Sequence, residues 1–162
     1  MHGAVHADPD IRVLTRFCGH QDDAGLAKRE ATALLNAGAD VLFTMLNSGR
    51  VGAVSACRDM GCKQIGNVDD WTVREPDVFI GSACADVGMS MRRAMEDMRS
   101  KRFPAGHIRT IGLETAGAVS LALGEGVPSA VRARLDDARA AIASGALVVP
   151  VEWSGEEFAG PN

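Results

Sequence analysis

Tyrosine is absent from this chain of 162 residues, and aromatic residues make up only 4% of it. Any stacking platform for a sugar or a base would have to come from very few rings, chiefly Trp71, Phe17 and Phe43. Cysteine is scarce and unpatterned: the 4 are Cys18, Cys57, Cys62 and Cys84, with no C-x-x-C pair. Cys57 and Cys62 sit among apolar or small neighbours, as buried free thiols do, while a Cys18–Cys84 disulfide stays open for an exported chain. The histidines His2, His6, His20 and His107 show no ligand spacing, so no metal site is expected. Positive charge is in deficit, with a net charge of -4 and a pI near 5.5. No broad basic face is therefore available to nucleic acid or an acidic membrane. No apolar run is long enough to span a bilayer. The opening M-H-G-A-V-H-A-D-P-D has neither a basic nor an apolar signal region, so no signal peptide is expected in this stretch. No Walker loop is present, no G-x-G-x-x-G follows a strand, and Ser48 lies in N-S-G-R rather than in a nucleophile elbow.

What is present is ordinary globular material, 46% hydrophobic and 23% charged, enough for about one domain with a real core. Strand patterns fall at Ile11–Phe17, Val41–Leu46, Lys63–Val68, Val78–Ala83, Ile108–Leu113 and Ala146–Val151, with a second short apolar run, Val119–Leu123, after the fifth. Helical patterns fall between them. The first follows an N-cap at Asp22 or Asp23, places Ala27, Ala31, Leu34 and Leu35 on one face, and stops at Ala37-Gly38. A second runs from about Arg50 to Met60 and buries Val54 and Cys57, with Val51 a further candidate for burial. A third spaces Val87, Met91, Ala94, Met95 and Met98 as a core-facing stripe, with Arg92, Arg93, Glu96, Asp97 and Arg99 in water. The last begins at Pro128, tolerated in a first turn, and buries Val131, Leu135, Ala138 and Ile142. The tail from 153 to 162 reads as frayed. Strands alternating with helices predict an α/β domain, a parallel sheet with helices on both faces.

The apolar run Val41–Leu46 breaks abruptly into Asn47-Ser48-Gly49 and then a helix. In open α/β sheets, ligands sit outside the carboxyl ends of the strands, so loops at that edge are the candidate site. These are His20–Asp23, Asn47–Arg50, Asp69–Trp71 and Ala83–Asp86. The residues expected to contact a ligand are Leu46, Asn47, Ser48, Gly49, Arg50, Asp69, Asp70 and Trp71. Carboxylates suit ligand hydroxyls, Asn47 and Ser48 take either sense of hydrogen bond, and Trp71 offers a ring. No nucleophile stands beside a base, which favours binding over catalysis and calls for no cofactor.

Several motifs together resemble one family. They are G-A-D-V-L-F, the loop through Gly49 and Gly52, I-G-N-V-D-D-W, S-A-C-A-D-V-G, I-R-T-I-G-L-E-T-A-G-A-V-S-L-A-L, the V-P before the last helix, and I-A-S-G-A-L-V-V-P. In this order they are similar to the basic membrane protein family, ABC-transporter substrate-binding lipoproteins of the type I periplasmic binding fold. The resemblance covers nearly the whole chain. It implies the C-terminal portion of a longer protein whose N-terminal lobe, signal peptide and lipobox lie outside this sequence. Residues 1–109 would then form the core of the second lobe, 110–123 a segment returning toward the first, 124–152 the final helix and strand, and 153–162 the tail. It also implies a periplasmic or membrane-anchored location, an ABC permease as partner, and a nucleoside or other small polar ligand. In the family a V-D-x-D-Q-like run follows the third strand. Here its last acid matches Asp70, the first falls on Val68 and the glutamine on Trp71, while a family lysine falls on Ala85. These departures remove expected ribose or base contacts.

Two other readings compete with the binding lobe. One is a ligand-sensing module of a cytoplasmic regulator, although no helix-turn-helix is visible. The other is a doubly wound enzyme using Asp69 or Asp70. A lone lobe exposing the surface its partner covers would self-associate.

Overall fold

The computed structural model describes residues 2–150 and 152. Helix α1 spans His2–Ala7, and residues 11–17 then run without regular structure. Helix α2 (Ala24–Asn36) starts because Asp23 accepts the Leu26 N–H at 2.8 Å, the cap read from the sequence. Strand β1 (Val41–Phe43) leads to α3 (Arg50–Met60), β2 (Lys63–Val68) and the short α4 (Trp71–Arg74). Strand β3 (Phe79–Ala85), α5 (Val87–Arg99), β4 (Val119–Leu123) and α6 (Ser129–Ala143) complete the order.

The sheet runs β1-β2-β3-β4; β1, β2 and β3 are parallel, and β4 pairs antiparallel with β3. The α/β class with a mostly parallel sheet is as expected. Ile11–Phe17 and Ile108–Leu113, however, join no ladder. Strand pattern alone supplies no hydrogen-bonding neighbour, and Ile108 is fully exposed at 100%. Residues 146–150 likewise form no strand, and Val151 and the tail 153–162 lie outside the described residues.

One face of the sheet carries the core. Ala31, Leu35, Ala53, Val54, Ala56 and Cys57 from α2 and α3 pack with Leu42, Val78 and Phe79. Alanines and a glycine let these two helices approach closely. A Cβ on Gly52 would stand 1.9 Å from the Ala24 carbonyl oxygen, so no other residue fits there without moving α2. Gln64, fully buried on this face, donates to Cys57 Sγ (3.3 Å) and accepts from Thr44 Oγ1 (3.3 Å). A buried amide satisfied at both ends costs little. Burial also pushes the Cys57 thiol above its ordinary pKa.

The opposite face is thinly covered. Phe43 pairs with Ile65 across the ladder and is 58% exposed, and Val41 and Leu121 are exposed as well. Parallel sheets are ordinarily covered on both faces. Helix α5 does not supply that cover. It buries no residue, and Met91, Met95 and Met98 are exposed, so the methionine stripe expected in the core faces outward. Helix α6 also buries none, and its Val131 is exposed. Both helices have the apolar spacing of core elements, but spacing shows which side is apolar and not what covers it. All four cysteines are free thiols, so Cys18 and Cys84 do not pair. No helix among the described residues is long and apolar enough to cross a membrane.

Candidate functional site

The segments that follow β1 and β2 are drawn together at the carboxyl ends of the strands, and the loop before α2 joins them. Gln21 is the hub of the first junction. Its carbonyl accepts the N–H groups of Asn47 and Gly49, each at 3.1 Å, and its side-chain oxygen accepts from Asn47 Nδ2 at 3.2 Å. Gly49 permits this approach, since a Cβ there would lie 2.7 Å from the same carbonyl. Beside it, Asp22 takes the Ser48 hydroxyl at 2.9 Å and the Ser48 N–H at 3.2 Å. Those bonds favour the charged carboxylate and hold Asp22 below its ordinary pKa.

Arg50 makes the second junction. It opens α3, behind a capping Gly49 that offers no side-chain acceptor, and its side chain turns inward and is buried. Nη2 donates to the Leu46 carbonyl at 2.6 Å and to Asn67 Oδ1, and Nη1 donates to Thr44 Oγ1 at 3.3 Å. The guanidinium lies 4.5 Å from the centre of the Trp71 ring. Arg74 sits at 5.2 Å from the same ring and Phe79 at 5.6 Å, while Trp71 Nε1 donates to the Asn67 carbonyl at 3.1 Å. Trp71 thus joins the loops to the core, with two cations and a phenyl ring already against it.

The paired carboxylates have separate duties. Asp69 Oδ2 meets Arg74 at 3.1 Å, and its carbonyl accepts the Ser82 hydroxyl at 2.5 Å. Asp70 caps α4, accepting the Thr72 N–H at 3.0 Å and the Thr72 hydroxyl at 2.5 Å. Between Asn67 and Asp69, Val68 holds a left-handed φ of 69°, a conformation a β-branched residue takes only when its surroundings impose it. The fourth loop begins later than the spacing implied, because β3 runs through Ala85. Asp86 then caps α5 and pairs with Arg92 at 2.7 Å.

Leu46, Asn47, Ser48, Gly49, Arg50, Asp69, Asp70 and Trp71 are therefore parts of one connected edge. Its polar groups are largely engaged with one another, the Ser48 hydroxyl on the Asp22 carboxylate and the Thr72 hydroxyl on the Asp70 carboxylate. Gln21 lies in the expected His20–Asp23 loop, whereas Thr44, Asn67 and Ser82 join this network from outside the expected loops. The signal for the last two was a polar residue inside an otherwise apolar strand. A separate cavity of about 200 Å³ lies between α5 and the chain after it, lined by Ala94, Asp97, Phe103, His107 and Arg109 among others. It shares no residue with the strand-end loops.

The mostly parallel α/β fold with polar loops at the strand ends is shared with solved structures. The chain superposes on an ABC-transporter solute-binding protein from Aeropyrum pernix K1 with a TM-score of 0.70 at 22% identity, covering 91% of this chain and 51% of that one. A solute-binding protein from Conexibacter woesei gives 0.65 at 24% identity, covering 92% and 50%. A transcriptional activator of the comK gene from Bacillus halodurans gives 0.67 at 22% identity, covering 80% and 45%. The profile of the Bmp family, ABC transporter substrate-binding protein PnrA-like, matches residues 1–150, and the chain belongs to that family. Among its relatives are Basic membrane protein A2 of Borrelia garinii subsp. bavariensis and Basic membrane protein A of Borreliella burgdorferi. The first is 23% identical over 91% of this chain and 45% of its own length, the second 26% identical over 80% and 36%. The chain spans about half the length of the relatives it matches, or less.

Proposed function

We propose that this chain is the second lobe of a solute-binding protein for ABC import, and that it holds a small polar solute, a nucleoside being one candidate, without chemical change. The observation that carries the reading is the single polar edge in which Gln21, Asp22, Arg50 and Asn67 tie three segments together at the strand ends. A rigid frame with a few placed polar groups suits recognition. In this reading Asn47, Ser48, Asp69 and Asp70 offer hydrogen bonds to the solute, and a first lobe and a permease complete the assembly. Location outside the cytoplasm follows from the same role. Calorimetry of the chain against nucleosides, sugars and related metabolites tests it. Saturable heat with the solute recovered unchanged is the expected result, and turnover of any of them would overturn the non-catalytic part.

The exposed Phe43 and Leu121 of the open sheet face favour self-association of this chain when nothing else covers them. Light scattering across concentration tests that, a monomer throughout counting against it. The likeness to a transcriptional activator supports a second reading, a ligand-sensing module of a regulator. A DNA-binding segment encoded in the same protein would favour it over import.

A further inference from the structure

Arg50 is a buried cation that no carboxylate touches among the described residues. It is 5% exposed, yet its hydrogen-bond acceptors, the Leu46 carbonyl, Asn67 Oδ1 and Thr44 Oγ1, are all neutral. Its Nε is buried and has no acceptor among the described residues. Asp69 is the acid whose field reaches it, but that carboxylate pairs with Arg74 instead. Asp22 and Asp70 are likewise taken, by Ser48 and Thr72. Buried charges in proteins are ordinarily paired, because leaving one uncompensated is strongly destabilising. The Trp71 face returns only part of that. Burial accordingly pulls the guanidinium below its ordinary pKa. The place matters as much as the charge. Arg50 is the first residue of α3, an 11-residue helix whose N-terminus has no side-chain cap, and that end carries partial positive charge of its own. Two independent positive features thus meet at the loop edge where a ligand of this fold sits.

We infer that the solute carries an acidic group, carboxylate or phosphate, whose oxygens take the unpaired Nε–H of Arg50 and replace Asn67 on the adjoining Nη2–H. This rests on the solute-binding reading and gives its ligand a chemical class. Side-on bidentate pairing of this kind is the strong form of an arginine hydrogen bond. Water does not reach Nε as the chain stands, so the acid enters by displacing the Asn67 side chain. That side chain also lies against Met45 Sδ at 3.2 Å and meets no carboxylate among the described residues.

Side-chain and backbone N–H signals of the isotopically labelled chain provide the test, with inorganic phosphate, succinate and neutral adenosine as probes. The Arg50 Nε–H signal is identified by its loss in R50K. At least one acid is expected to shift it together with Ser48 and Gly49 N–H, and R50Q is expected to weaken that acid about tenfold or more. Phosphate alone acting points to a phosphoester, succinate alone to a carboxylate. Should R50Q lose its signal dispersion, R50K, which keeps the charge without the fork, carries the comparison and is expected to weaken the acid by a smaller factor. Shifts that neither variant alters mark an adventitious ion only and overturn the inference. If adenosine moves the Asn47–Gly49 and Asp70 signals while both acids leave Arg50 unmoved, the acidic ligand falls and the solute-binding reading stands. If no probe moves any loop signal, and sugars and amino acids do no better, both fall.

Discussion

Helices α2 and α3 bury Ala27, Ala31, Leu35, Gly52, Ala53, Val54, Ala56 and Cys57, whereas α5 and α6, of similar length, bury nothing. The stripes of the second pair are the more conventionally apolar, with valine, leucine, isoleucine and methionine at helical spacing. The first pair succeeds with small residues because close backbone approach brings two helices and a sheet face into one contact. Apolar spacing makes a face available for burial, and a partner has to be present before that face contributes stability. The difference divides the chain into a first part, 24–85, that sets the candidate site on a packed frame, and a second part whose apolar surface is open.

The largest effect that would sharpen this comparison is Phe79→Ala. Phe79 is among the largest fully buried side chains, and its removal is expected to cost about 3–5 kcal/mol in urea unfolding. Gly52→Ala is next, since its Cβ would collide with the α2 backbone at Ala24 and Lys28. A loss of about 1–3 kcal/mol is expected, and an unchanged midpoint would mean that the two helices are not in close contact. Val68→Gly works the other way. It relieves a left-handed φ at the end of β2 and is expected to raise stability by about 1 kcal/mol, measured by the same unfolding curves. Met95→Ala on α5 is the smallest, within about 0.5 kcal/mol of the parent chain. A loss on the scale of Phe79→Ala would break the comparison outright, because it would show that the methionine stripe is packed in solution.

A pH prediction belongs to the site rather than the core. The Asp22 carboxyl titrates lower in the folded chain than in the unfolded one, held there by Ser48. Its contribution is therefore complete above the unfolded value, about 4, and is lost as pH falls through the lower folded value. Amide signals of Gln21, Ser48 and Gly49 are expected to report loosening of this junction over that window. In Asp22→Asn the change over the window is expected to disappear.

Much of the frame was legible in the residues. The helix Arg50–Met60 and the strand Lys63–Val68 stand where periodicity put them, and the cap expected at Asp22 or Asp23 falls on Asp23, because those signals are local; the short apolar run Val119–Leu123 is a strand, β4, that the pattern alone did not assign. The candidate loops were legible for a related reason, since strand ends of this class share one edge, but β1 pairs only over Val41–Phe43 and ends three residues before the apolar run gives way to Asn47-Ser48-Gly49. Ile11–Phe17 and Ile108–Leu113 misled because a strand exists only by pairing, which no local pattern encodes. The four exposed apolar positions of α5, Val87, Met91, Met95 and Met98, misled for the matching reason in packing.

Composition and motif order by themselves determined the α/β class and the family. Tertiary structure alone decided that Trp71 is clasped between Arg50 and Arg74, that Asp69 and Asp70 serve different partners, and that Arg50 points inward with Nε unmatched. The division is physical: backbone propensity and amphipathic spacing act over a few neighbouring residues. The pairing of one side chain with another depends on groups that the chain brings together only when it folds.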